Sequence, residues 1–191
     1  MIPGSLKLWI RATVSAGLML GGAVALFVWA DDEGGLAAIK AKVRDDFPTV
    51  PQLSAHDLKR RLDDPDRPPP LLLDVRRAEE FAVSTLPGAV RVDPDADPAS
   101  LGLDRNRELV VFCSVGYRSS RLAARLQEAG FTDVRNLEGS IFEWAELGYP
   151  LRQGEDPAFK VHPYSRAWAW LVRQDLRAYR PDEALRPPEP P

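Results

Sequence analysis

The stretch 109–130, LVVFCSVGYRSSRLAARLQEAG, most narrows what this chain can fold into. Four apolar residues in a row, Leu109 to Phe112, read as a strand buried on both faces. A short loop, 113–118, follows. Residues 117–129 then place Leu122, Leu126 and Ala129 at spacings of three and four, an amphipathic helix that Gly130 closes. The same alternation recurs on either side. Apolar runs at 71–75, 89–92 and 134–137 read as strands, and 55–62, 77–82 and 141–147 as short helices. Ser54 is placed to cap the first of these helices. Strands alternating with helices imply an α/β fold, a parallel sheet with helices on both faces, and ligands gathered beyond the strand C-terminal ends. Cys113 stands at such an end.

The residues around Cys113 point to a nucleophile. A thiol at a strand-to-helix turn faces the unpaired N–H groups and positive dipole end of the helix, which stabilise a thiolate. Gly116 permits angles that turn successive N–H groups toward one anion. Arg118 adds a positive charge, and Ser119 and Ser120 add hydroxyls. Together they make a cradle for a small oxyanion with a thiol at its base. Cys113 is the only cysteine, and His56 and His162 are the only histidines, which excludes an internal disulfide and leaves zinc too few ligands. No metal and no cofactor are expected. A net charge of −3, with no strongly basic domain, argues against nucleic acid as a partner.

The N-terminus carries a separate signal. Residues 12–30 contain no charged side chain, a run close to the length needed to cross a bilayer. Lys7 and Arg11 precede it and Asp31, Asp32 and Glu33 follow. The positive-inside bias therefore puts residues 1–11 in the cytoplasm and all that follows the run on the exported, periplasmic side. Two readings stay open: a single-pass transmembrane anchor, or a signal peptide cut after Ala30 that leaves a secreted protein. A helical stalk is expected within 31–49, a C-terminal helical extension within 153–180, and a proline-rich mobile tail over 181–191. The apolar set in 163–178 predicts a helix that packs on the domain or binds a membrane surface or a protein partner.

Four motifs in register carry a family resemblance. LLDVRRAEEF at 72–81, LPGAVRV at 86–92, VVFCSVGYRSS at 110–120 and GFTDVRNLEGSIFEWAELGYPL at 130–151 resemble the rhodanese, or sulfurtransferase, family, over roughly residues 50–152. Thr85 departs from it, since many members have a histidine there. The resemblance implies a rhodanese-like sheet behind the N-terminal membrane segment. It also implies that Cys113 forms a persulfide from thiosulfate or another sulfane donor and passes the sulfur to cyanide or a thiol. The N–H groups of Ser114, Val115, Gly116, Tyr117, Arg118 and Ser119 would hold the anion. Asp74, Arg76 and Glu80 are expected to be structural, with Arg76 tied to Glu80. Rhodanese folds also serve as binding modules, so a membrane-tethered, non-catalytic module is the alternative. A cysteine-phosphatase-like enzyme is a further one. Phosphatases of related architecture place five residues between Cys and Arg, whereas here there are four.

Overall fold

The computed structural model of the protein describes residues 32–188. In chain order the elements are α1 (Asp32–Asp46), β1 (Gln52–Leu53), α2 (Ala55–Asp63), β2 (Leu71–Asp74), α3 (Ala78–Val83), β3 (Val90–Arg91), β4 (Leu109–Phe112), α4 (Tyr117–Glu128), β5 (Val134–Leu137) and α5 (Ser140–Glu146). A hairpin, β6 (Leu151–Gln153) and β7 (Asp156–Ala158), and a final turn of helix, α6 (Pro181–Ala184), complete them. The first five strands form one parallel sheet in the order β1-β5-β4-β2-β3.

The sheet explains why the apolar runs are continuous rather than alternating. Every residue of β4 is buried, because helices cover both sides. Leu72, Val110 and Phe112 pack toward Leu58 of α2 and Ile141 of α5. Leu73, Leu109 and Val111 pack the other way, toward Leu122 and Leu126 of α4. Cys113 continues this second set by the period-2 rule, so its side chain leaves β4 on the side where α4 begins.

The expected rhodanese-like sheet is present. Among the described residues no helix is long and apolar enough to cross a membrane, and the run 12–30 lies outside them. Residues 36–44 fall inside α1, but this helix lies against the domain instead of standing off as a stalk. Val43 is buried, and Leu36 and Ile39 pack on the core. Lys40 reaches Glu143 at 2.9 Å, and Arg44 reaches Glu138 at 2.6 Å. Gly35 abuts the Trp170 ring so closely that a Cβ there would overlap it.

The helix expected over 163–178 does not form. Two single-turn 3-10 segments, Ala169–Leu171 and Gln174–Leu176, stand in its place. Tyr164 adopts a φ of +65°, which breaks helical continuity just after Pro163. The chain then follows tertiary partners: Val161 N–H donates to Leu176 O at 2.8 Å, and Ala178 N–H to Val161 O at 3.0 Å. The start of the expected mobile tail is likewise ordered, since Phe159 N–H donates to Ala184 O at 2.8 Å and Ala184 is buried.

Candidate active site

β2 delivers Asp74 and Arg76 to the C-terminal edge of the sheet. Both side chains are fully buried. Asp74 accepts from Arg76 Nη2 at 2.6 Å, Nε at 2.9 Å and the Arg76 backbone N–H at 3.0 Å, and from Thr85 Oγ1 at 2.8 Å. Arg76 Nη2 also donates to the Ser84 carbonyl. This network fixes the strand end to the 84–85 turn.

Glu80 goes elsewhere. The expected Arg76–Glu80 pair is absent, because Arg76 precedes the α3 N-terminus and its side chain is drawn inward by Asp74. Glu80, in the first turn of α3, accepts the Arg77 backbone N–H at 3.1 Å and turns toward the cysteine loop. There it takes Arg118 Nη1 at 3.0 Å and Nη2 at 2.9 Å, and the Ser114 hydroxyl at 2.9 Å. Arg118 Nη2 also donates to Ser114 Oγ at 3.0 Å. Burial would raise the Glu80 carboxyl, but the Arg118 hydrogen bonds and charge outweigh it, and the group titrates below the usual carboxylate range.

The loop itself forms a nest around sulfur. Gly116 N–H donates to Cys113 Sγ at 3.2 Å, and Ser119 Oγ lies 3.5 Å from it. The loop is held from outside by α5. The Cys113 N–H donates to Ser140 Oγ at 3.1 Å, while Ile141 and Phe142 N–H groups donate to the Cys113 and Ser114 carbonyls at 3.2 Å. Burial would push the thiol up. The Arg118 charge, the Ser119 hydroxyl and the backbone N–H groups of Ser119 and Gly116 together outweigh it, so the thiol titrates below its ordinary value.

Sulfur sits at the base of a cavity of about 210 Å³. Of the loop residues, Cys113, Ser114, Val115, Tyr117 and Arg118 line it, while Gly116 and Ser119 bond to sulfur from behind. Three lining residues were not singled out as site residues: Phe142 of α5, and Tyr164 and Trp168 of the C-terminal segment. Cys113 is 1% exposed, and among the described residues the cavity it lines is the way to sulfur. His56 bonds the Tyr149 hydroxyl and His162 takes the Tyr164 N–H, so both ring systems are engaged away from the thiol.

Two expectations follow. Arg118→Gln removes the foremost influence that lowers the thiol pKa and leaves the Glu80 charge beside it. A group with a depressed pKa is ionised above that value and protonates as pH falls through it. The acid limb of Cys113 alkylation by iodoacetamide therefore moves to higher pH in this variant, and an unmoved limb would show that backbone donors alone hold the thiolate. Gly116, at φ +106°, tolerates a side chain poorly, and a Cβ there would lie 3.2 Å from Asn136 Nδ2. Gly116→Ala should cost about 1–3 kcal/mol in urea denaturation and slow alkylation, because its N–H is shifted off sulfur.

Comparison with known proteins agrees with this geometry. A family model for the rhodanese-like domain matches residues 54–147. A sulfurtransferase of Allochromatium vinosum is 31% identical over 103 residues, which cover 53% of this chain and 94% of that protein. A tRNA uridine(34) hydroxylase of Cupriavidus taiwanensis is 34% identical over 114 residues, 54% of this chain but only 40% of the relative. Among solved structures, a thiosulfate sulfurtransferase from Pseudomonas aeruginosa superposes with a TM-score of 0.51 at 25% identity, over 63% of this chain and 23% of that one. Sheet order, a cysteine loop at the end of the central strand and these likenesses lead to one conclusion: the chain belongs to the rhodanese-like family.

Proposed function

We propose that the protein is a sulfurtransferase in which Cys113 carries the sulfur. The observation that bears most weight is the Cys113 sulfur itself, recessed at the base of a cavity, with the Gly116 N–H 3.2 Å and the Ser119 hydroxyl 3.5 Å away. These groups favour the thiolate, the form that attacks sulfur. With thiosulfate, the thiolate attacks the outer sulfur, the S–S bond of the donor breaks, and sulfite leaves with its electron pair. The terminal sulfur of the persulfide then passes to cyanide or a thiol, and Cys113 returns to thiolate. Similarity to a sulfurtransferase over nearly that protein's whole length supports the same reading.

The test is mass spectrometry of the full chain after exposure to thiosulfate, followed by cyanide. A gain of one sulfur, lost again as thiocyanate forms, is the expected result. A folded protein that gains no sulfur from thiosulfate or from an organic polysulfide would overturn the assignment. We also read the chain as attached to a membrane or exported through residues 12–30, with the domain on the periplasmic side. The supporting feature is a charge-free run flanked by Lys7 and Arg11 before it and acidic residues after it. Recovery of the untreated chain in a soluble cytoplasmic fraction would count against this.

A further inference from the structure

We propose that the sulfur acceptor is a small organic thiol bearing an apolar group, a single ring or short alkyl chain, seated against Phe142, Tyr164 and Trp168. This rests on the sulfurtransferase reading and specifies its second substrate.

The cavity over Cys113 has two unlike kinds of lining. Cys113, Ser114 and Arg118 are polar, but the rest is apolar or aromatic: Val115, Tyr117, Phe142, Tyr164 and Trp168. Tyr164 and Trp168 lie C-terminal to the 54–147 family match. They are held in place. Val161, Leu171 and Val172, which bracket them in sequence, are buried, and the Tyr164 N–H donates to His162 Nδ1 at 3.1 Å. The Arg118 guanidinium stands 4.8 Å from the Tyr164 ring centroid and Arg77 stands 5.1 Å from it, contacts that keep the ring turned to the site. Trp168 packs edge-on against Tyr164, with centroids 6.4 Å apart, and remains 39% exposed. A wall of aromatic rings gains by covering apolar surface and offers little to a hydrated ion.

Charge points the same way. Arg118 is the one charged residue among the described lining residues, and both of its Nη atoms are bonded to Glu80. Its charge steadies the thiolate, but the guanidinium fork is not free to grip a second polyanion. Size sets the upper bound: a cavity of about 210 Å³ falls below the roughly 300–1,000 Å³ typical of drug-sized ligands. In the transfer step the acceptor thiolate attacks the outer sulfur of the Cys113 persulfide. The Cys113 S–S bond breaks, its electron pair stays on Sγ, and the acceptor leaves as an organic persulfide with the same total charge.

The experiment compares benzyl mercaptan with 2-mercaptoethanol as acceptors for the thiosulfate-charged full chain, with cyanide run in parallel. The wild type is expected to prefer benzyl mercaptan by at least about tenfold in kcat/KM, chiefly through KM. That ratio should fall toward unity in Trp168→Ala and be largely restored in Trp168→Phe. Thiocyanate formation without any preference between the thiols would overturn the acceptor assignment and leave sulfur transfer standing. A second readout needs no turnover: benzyl alcohol should protect Cys113 of the wild type from iodoacetamide in a saturable way, and less so in Trp168→Ala. Absence of protection overturns the apolar seat. Protection in a chain that forms no persulfide would instead sink the sulfurtransferase reading while keeping the seat.

Discussion

A Cys113→Ser chain is expected to fold normally and to form no persulfide, with sulfur transfer falling by at least about a thousandfold to background. The substitution is close to isosteric, and the Gly116 N–H and Ser119 hydroxyl that face sulfur can bond a hydroxyl oxygen instead. The stability change should therefore stay within about 1 kcal/mol. The chemistry does not survive the exchange. The cradle shifts a thiol toward ionisation, but a hydroxyl starts many orders of magnitude less acidic and remains neutral in the same surroundings. Thiocyanate release and the mass of the thiosulfate-treated protein check the first claim, and the urea midpoint checks the second. Retained transfer by a well-folded serine variant would move the nucleophile away from Cys113.

Asp74→Asn is expected to be the most damaging single change to stability, at about 3–5 kcal/mol. That is a large share of the roughly 5–15 kcal/mol that holds an ordinary domain together. The carboxylate is the partner of a guanidinium with no exposure to solvent, and Arg76 Nη1 already lacks a hydrogen-bond acceptor among the described residues. Asparagine leaves that charge buried without a counter-charge and turns an amide N–H₂ toward groups that are themselves donors. The double variant Asp74→Leu/Arg76→Met should be less unstable than Asp74→Asn alone, since it buries no unpaired charge. Urea unfolding of the single and double variants decides the matter. A cost below about 1 kcal/mol for Asp74→Asn would mean that Arg76 reaches water on its own.

The local chemistry of the site was legible where the chain itself is local. Leu109 to Phe112, Gly116 and the helix after it are contiguous, so strand, turn and N-terminus could be read in order, and with them the surroundings of Cys113. Glu80 was placed nearby but paired with the wrong arginine. Spacing of four suggests a helical pair with Arg76, yet Arg76 sits before the helix begins, and only the folded sheet shows that α3 and the cysteine loop are neighbours. Phe142 was recognisable as part of a helix, but not as the residue of α5 that faces the cavity. Tyr164 and Trp168 were hidden more deeply. Their segment carries apolar residues at spacings compatible with a helix, while the conformation adopted depends on Val161, Leu176 and Ala178 meeting through space. Propensity is a weak prior against such contacts.

The packing of Gly35 against Trp170 brings α1, at the start of the described chain, onto a segment near its end. On the ribosome the reactive loop is therefore made well before its roof exists. A nascent chain that has emerged as far as α5 holds the Cys113 thiol, both of its hydrogen-bond donors and the helix that anchors the loop, but neither Tyr164 nor Trp168. During that interval the sulfur stands open to any small oxidant and has no means of choosing between partners. Emergence of residues 164–170 ends the exposure, because α1 and that segment can then lock together. Reactivity comes early in the life of the molecule and discrimination comes last. A fault in residues 164–170 should therefore leave a thiol that is not inert but indiscriminate.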